Sequence, residues 1–357
     1  MITKDVTGKE ALLASLPSPC EMEKSDVLDL LLREEYGYLP PAPDTVEVDV
    51  EERKSDRSFC AGKAFLKHLT FRCKGAFGEF SFPVRYACPK KATAPVPAFV
   101  QINFRPDVPD TYQPTEEIVD NGYAVLSFCY KDVTSDDGDF TNGLAGVIYP
   151  NGKREAHQCG KIGLWAWAAI RVLEYALQQP ELDPSHICVV GHSRLGKTAL
   201  LAGALDERFF CAFSNDSGCS GAAISREKEG EDIETICRVF PYWFCENYKK
   251  YAEKEDTLPF DQHYLLAANY PHRVYVASAW EDRWAGPENE FLSCVAASDY
   301  FIKRGRKGFV HDGRLPVIGD KYHDGDIGYH LRDGLHYLSR EDWNLYFEFL
   351  KQCEEMA

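Results

Sequence analysis

Ser193 lies in the stretch Val189-Val190-Gly191-His192-Ser193-Arg194-Leu195-Gly196-Lys197-Thr198-Ala199-Leu200. The short apolar run 186–190 reads as a buried strand, and 198–205 reads as a small apolar helix. Between them the chain turns sharply, with glycine at 191 and 196 and serine at the apex. Strand, tight turn and helix make a nucleophile elbow. The turn lifts the hydroxyl clear of the sheet, and the helix N-terminus aims unpaired N–H groups at developing negative charge. The common G-x-S-x-G spacing would need glycine at 195. Leucine stands there, and glycine follows one residue later.

A serine is a weak nucleophile until a base takes its proton. With an elbow of this kind the partners follow in the order serine, acid, histidine. His336, in Arg332-Asp333-Gly334-Leu335-His336-Tyr337-Leu338-Ser339 ahead of the closing helix, is the expected base. His330 is the competitor on the same segment, and His323 is the weaker third choice. Two acids are available. Asp282 follows the strand-like run 273–279, and Asp216 follows 211–214. Either would orient the imidazole and stabilise its cation. This chemistry needs neither a metal nor a cofactor, and none is expected.

The elements that position these residues alternate along the chain. Segment 25–36 reads as a helix, and four strand-like runs follow at 45–50, 64–72, 79–87 and 96–103. The first three fit an antiparallel start. Another buried strand is expected at 123–130, then a polar loop, 131–152, long enough to be functional. Segment 162–178 carries the 3.6-residue apolar period of a helix. After the elbow, 218–258 is irregular, charged and aromatic, and reads as a cap-like insertion. A strand at 273–279, a helix at 288–301, a last short strand at 316–319 and a helix at 342–353 complete the pattern. The alternation implies one α/β domain over 1–357, and together with the elbow it resembles the three-layer sandwich of the α/β-hydrolase fold. Its central sheet is mostly parallel, with a helix and β extension over about 1–90.

The 357 residues carry a formal charge of −16. Phosphate binding needs a basic footprint, so nucleic acid is excluded as a partner, and anionic membrane surfaces are disfavoured. No run approaches the ~20 apolar residues of a membrane span. The start of the chain, Met1-Ile2-Thr3-Lys4-Asp5-Val6, lacks the apolar core of a secretory signal, so a cytoplasmic location is expected, or a secreted one if a leader was trimmed. The thirteen cysteines form no C-x-x-C pair, and several sit in core-like runs, such as Cys129, Cys188 and Cys294. They read as reduced packing residues. The oligomeric state is not legible.

Four motifs together resemble the glucuronoyl esterases, a carbohydrate-esterase family with this fold. The elbow Gly191-His192-Ser193-Arg194-Leu195-Gly196-Lys197 is similar to the family's G-x-S-R-x-G-K, leucine included. Asp216-Ser217-Gly218 resembles the E-S-G segment that supplies the acid in fungal members. Asp282-Arg283-Trp284-Ala285-Gly286-Pro287 resembles the bacterial D-x-W-x-D-P segment, with Gly286 in place of its second aspartate. Gly328 to His336 resembles the stretch that holds the family's histidine.

The resemblance implies roles. Ser193 attacks the ester, and Arg194 stabilises the oxyanion by backbone N–H and guanidinium. Lys197 binds sugar hydroxyls, and Trp284 packs on the sugar. Family members also carry a Gln and a Glu that hold the uronate. No Gln can be placed in segment 237–247, and Glu246 is the candidate Glu. The implied activity is hydrolysis of an ester on a plant cell-wall saccharide, most simply a 4-O-methyl-glucuronoyl ester, with a small carbohydrate ester as substrate. Two alternatives stand beside it: an acetylxylan-type deacetylase and a non-catalytic, sugar-binding hydrolase fold.

Overall fold

The computed structural model describes residues 6–355, so the polar stretch 1–5 lies outside the described residues. Ten strands form one sheet in the order β1-β2-β3-β5-β4-β6-β7-β8-β10-β9. They are β1 Thr45–Glu52, β2 Ala64–Gly75, β3 Gly78–Pro89, β4 Val96–Asn103, β5 Ala124–Cys129, β6 Leu182–His192, β7 Cys211–Asn215, β8 Arg273–Ala279, β9 Lys321–Tyr322 and β10 Ile327–Arg332. β1, β2, β3 and β5 pair antiparallel. From β5 through β4, β6, β7, β8 and β10 every pairing is parallel, and β9 closes the far edge antiparallel. The N-terminal strands are thus continuous with the parallel sheet.

Side chains alternate across the strands and build two cores. On one face Cys188, Val190, Phe213 and Tyr275 pack with Trp343, Tyr346 and Phe347 of the closing helix Arg340–Glu355. On the other, Ile187 and Val189 pack with helices Lys161–Ala176, Arg194–Leu205 and Pro287–Lys303. All thirteen cysteines are free thiols, ten of them buried. Among the described residues no helix is long and apolar enough to cross a membrane.

Two expectations need correction. Residues 316–319 form a turn, not the last strand: Val317 and Ile318 are exposed, and Asp320 N–H bonds back to the Val317 carbonyl. The last parallel strand is β10, a stretch for which the sequence gives no strand signal. Its small and polar residues, Gly328, His330 and Arg332, hide it, yet all six of its residues are buried. Gly328 is needed there, because a Cβ would collide with the Tyr275 ring on neighbouring β8. The loop 131–152 also holds short helices, Tyr130–Val133 and Gly143–Ile148.

Candidate active site

Parallel strands all point their C-terminal ends the same way, so the loops after β6, β7, β8 and β10 converge. Ser193 sits between β6 and the helix Arg194–Leu205 with φ 58° and ψ −130°. A non-glycine residue adopts positive φ rarely and at a cost, and such strain concentrates at functional sites. The turn closes tightly: a Cβ at Gly191 would collide with the Leu195 carbonyl oxygen. Ser193 N–H donates to the Asn215 carbonyl of β7 at 2.8 Å.

His336 lies in the loop after β10, and Asp282 in the loop after β8. Backbone bonds join these loops: Trp280 N–H to the Arg332 carbonyl and Glu281 N–H to the Gly334 carbonyl, both 2.9 Å. His336 Nδ1 is 2.6 Å from Asp282 Oδ2. An ionised carboxylate can only accept, so Nδ1 carries the proton and Nε2 is left as a base. Ser193 and His336 line one cavity of about 150 Å³ with Arg194, Lys197, Asp216, Ser217, Gly218, Glu231, Phe240, Trp243, Trp284 and Ala285.

Asp216 is the second acid, but its carboxylate serves another partner. Fully buried, it accepts from Ala279 N–H at 2.8 Å, from Arg332 Nη2 at 3.3 Å and from Tyr337 N–H at 3.4 Å. It therefore braces the histidine loop, while Asp282 holds the ring. Donor atoms of Asp216, Asp282 and His336 lie within 4.8 Å of one another, a spacing a metal could use. A cation there would have to displace the Arg332 guanidinium and the Nδ1 proton. Below this loop Glu290 accepts from Gly218 N–H at 2.9 Å and from Ser278 Oγ at 2.5 Å, and burial pushes its carboxyl up to about 7.

Arg194 Nη1 bonds Asp136, and its guanidinium lies 4.8 Å over the Trp243 ring. Lys197 is buried. Its Nζ donates to the carbonyls of Ser217 (2.7 Å) and Cys219 and to Glu231 Oε2 (3.1 Å). Trp284 lines the cavity with 53% of its surface exposed, as a platform for a flat apolar face requires.

The sequence profile described as glucuronyl esterase, fungi, matches residues 73–305. The chain belongs to the glucuronoyl esterase family. A carbohydrate esterase from an unknown prokaryotic organism is 39% identical over 236 residues, covering 66% of this chain and 54% of that protein. A 4-O-methyl-glucuronoyl methylesterase of Hypocrea jecorina is 27% identical over 284 residues, 77% of this chain and 56% of its own. The chain spans about half the length of these curated relatives. The solved glucuronoyl esterase of Solibacter usitatus superposes with a TM-score of 0.84 at 29% identity, covering 93% of this chain and 92% of that one. The fold is that of the α/β-hydrolases.

One expected residue of this glucuronoyl esterase family site is elsewhere. Glu246 lies outside the cavity, in the short helical turn Glu246–Tyr251, bonded to Lys249 at 2.6 Å and Arg154 at 3.4 Å. The cavity's glutamate is Glu231, brought in because its N–H bonds the Trp284 carbonyl at 3.0 Å. Sequence reading also missed Asp136, Phe240 and Trp243. Glu231, Phe240 and Trp243 come from the irregular segment 218–258 and Asp136 from the loop 131–152. Neither stretch carries a periodic signal; the acid-rich run Asp136-Asp137-Gly138-Asp139 and the charged, aromatic character of 218–258 are the hints.

Proposed function

We propose that this protein is a serine carboxylic-ester hydrolase acting on 4-O-methyl-glucuronoyl esters of plant cell-wall saccharides. One observation carries the reading: the 2.6 Å bond between His336 Nδ1 and Asp282, beside a strained serine in the same cavity. Family membership and the names of the relatives support the substrate class.

Ser193 Oγ attacks the ester carbonyl carbon while His336 Nε2 takes its proton. Asp282 stabilises the imidazolium. The carbonyl electron pair becomes an oxyanion, met by the N–H of Arg194 and by its guanidinium. Collapse expels the alcohol, protonated by His336, and leaves a uronoyl-serine ester. Water, deprotonated by the same imidazole, then releases the acid. Trp284 takes the sugar face, and the Lys197–Glu231 pair meets its hydroxyls.

The test compares methyl glucuronate esters with acetylated xylo-oligosaccharides. Release of methanol from the first by the wild type, and its loss in Ser193→Ala, is expected. Turnover of the acetylated sugars alone would assign a deacetylase. A wild type that hydrolyses neither and does not react with a fluorophosphonate is a binding protein.

A further inference from the structure

Asp136, at the centre of the long polar loop, has no part in the steps above. Its side chain is nearly buried, with 6% exposed. Oδ1 accepts the Trp243 indole N–H at 2.8 Å, and Oδ2 accepts the Tyr130 hydroxyl at 2.9 Å and Nη1 of Arg194. The Asp136 carbonyl accepts from Tyr242 at 3.1 Å. The loop is anchored on both sides of it. Lys161 Nζ, rising from the helix Lys161–Ala176, donates to Thr134 Oγ1 at 2.8 Å and to the Asp139 carbonyl at 2.6 Å.

An arginine side chain has many rotamers, and ordering it opposes any bond it makes. A donor acts most strongly on a transition state when it is already oriented. Here Arg194 already has its partners before substrate arrives. Asp136 holds the guanidinium through Nη1, and the rings of Trp243, Phe240 and Phe104 lie 4.8, 5.5 and 5.7 Å from its Cζ. The same carboxylate fixes the Trp243 ring, so cation and wall are set in register by one group.

The geometry points to Asp136 as a positioning residue that holds the Arg194 guanidinium where the oxyanion forms. It acts through Arg194 and does not touch substrate. The inference rests on the serine-esterase reading above.

A double-mutant cycle tests it. Asp136→Asn keeps the side-chain shape and removes the anionic acceptor. In the wild-type background kcat should fall by about 10–10² while KM changes less than about threefold. In the Arg194→Ala background the same substitution should change kcat by less than about threefold, because the group it positions is gone. A merely structural role lowers activity by the same factor in both backgrounds; that result, or an unchanged kcat in the first, overturns the assignment. If the wild type ignores methyl glucuronate esters, only the substrate reading fails. The cycle is then read on p-nitrophenyl acetate, which forms the same oxyanion at Ser193. A wild type inert to both esters removes the serine reading and this inference with it.

Discussion

The imidazoles of His192 and His336 lie against each other, ring centroids 4.4 Å apart. Two cations at that distance would repel, so one ring must stay neutral for the other to accept a proton. His192 is that ring. It is buried, and its Nδ1–H donates to Asn215 Oδ1 at 2.6 Å. Burial, then the proximity of His336, pushes it down to about 3. In an NMR titration the His192 resonances, assigned by their loss in His192→Asn, should not move between pH 8 and about 5. A His192 that titrates in that range would make it a competing base.

The two acids should separate by what they lose. Asp282→Asn leaves His336 in the wrong tautomer and should lower kcat by ~10⁴. Asp216→Asn weakens the brace on Arg332 and Tyr337, so it should lower stability by about 1–3 kcal/mol and keep kcat within about tenfold. Denaturant melts and steady-state kinetics on both variants check the pair. A reversed ranking would move the triad's acid to Asp216.

His330 lies within β10 and His336 in the loop that follows it, and the two do different work. His330 is buried in β10, its Nε2 2.9 Å from Asp342 and its Nδ1 2.9 Å from the Tyr275 hydroxyl. His330→Ala should cost stability and spare kcat in the folded fraction. His336→Ala should abolish turnover without lowering the melting temperature. Fluorophosphonate labelling of the two variants, compared with their thermal melts, separates the roles.

Glu231 and Glu246 give a sharper contrast, because the sequence points to Glu246 while Glu231 lines the cavity. Glu231→Gln removes an anionic acceptor from the cavity and should raise KM by about 10–100-fold, the worth of a charged hydrogen bond. Glu246→Gln alters a surface ion pair and should leave kcat/KM unchanged. Equal effects from both would mean that the cavity is not where the sugar binds.

That contrast marks what the sequence could disclose. The elbow was legible because Gly191, Ser193 and the apolar runs beside them act over a few residues. β4 and β8 match their expected bounds, 96–103 and 273–279, since both are apolar runs with turns on either side. β10 was not legible. It is buried through partners distant in the chain, Tyr275 and the closing helix, which lets it carry Gly328, His330 and Arg332. Segment 316–319 looked like a strand only because Val317 and Ile318 are apolar, and both face solvent. Likewise Glu231 and Trp243 reach the cavity, and Asp136 reaches Arg194, through long-range bonds that leave no local pattern.

Stability should depend on pH through Glu35, which does not line the cavity. This residue lies in the helical turn Leu32–Tyr36 and is fully buried. Gln262 Nε2 donates to both its oxygens, at 3.0 and 3.2 Å. Burial outweighs those bonds, Asp261 adds to it, and the carboxyl is pushed up to about 8. The unfolded chain ionises near 4.5, well before the folded one. Between those values the folded state binds more protons at this residue, so the Glu35 contribution to stability is fully present below about 4.5 and is lost as pH rises toward 8. Glu35→Gln has no proton to lose. Denaturant unfolding of both proteins across this window should shift in favour of the variant by about 1.4 kcal/mol per pH unit. Glu290 titrates in both proteins, so its contribution cancels. A constant difference from pH 5 to 8 would mean that Glu35 is ionised inside the fold.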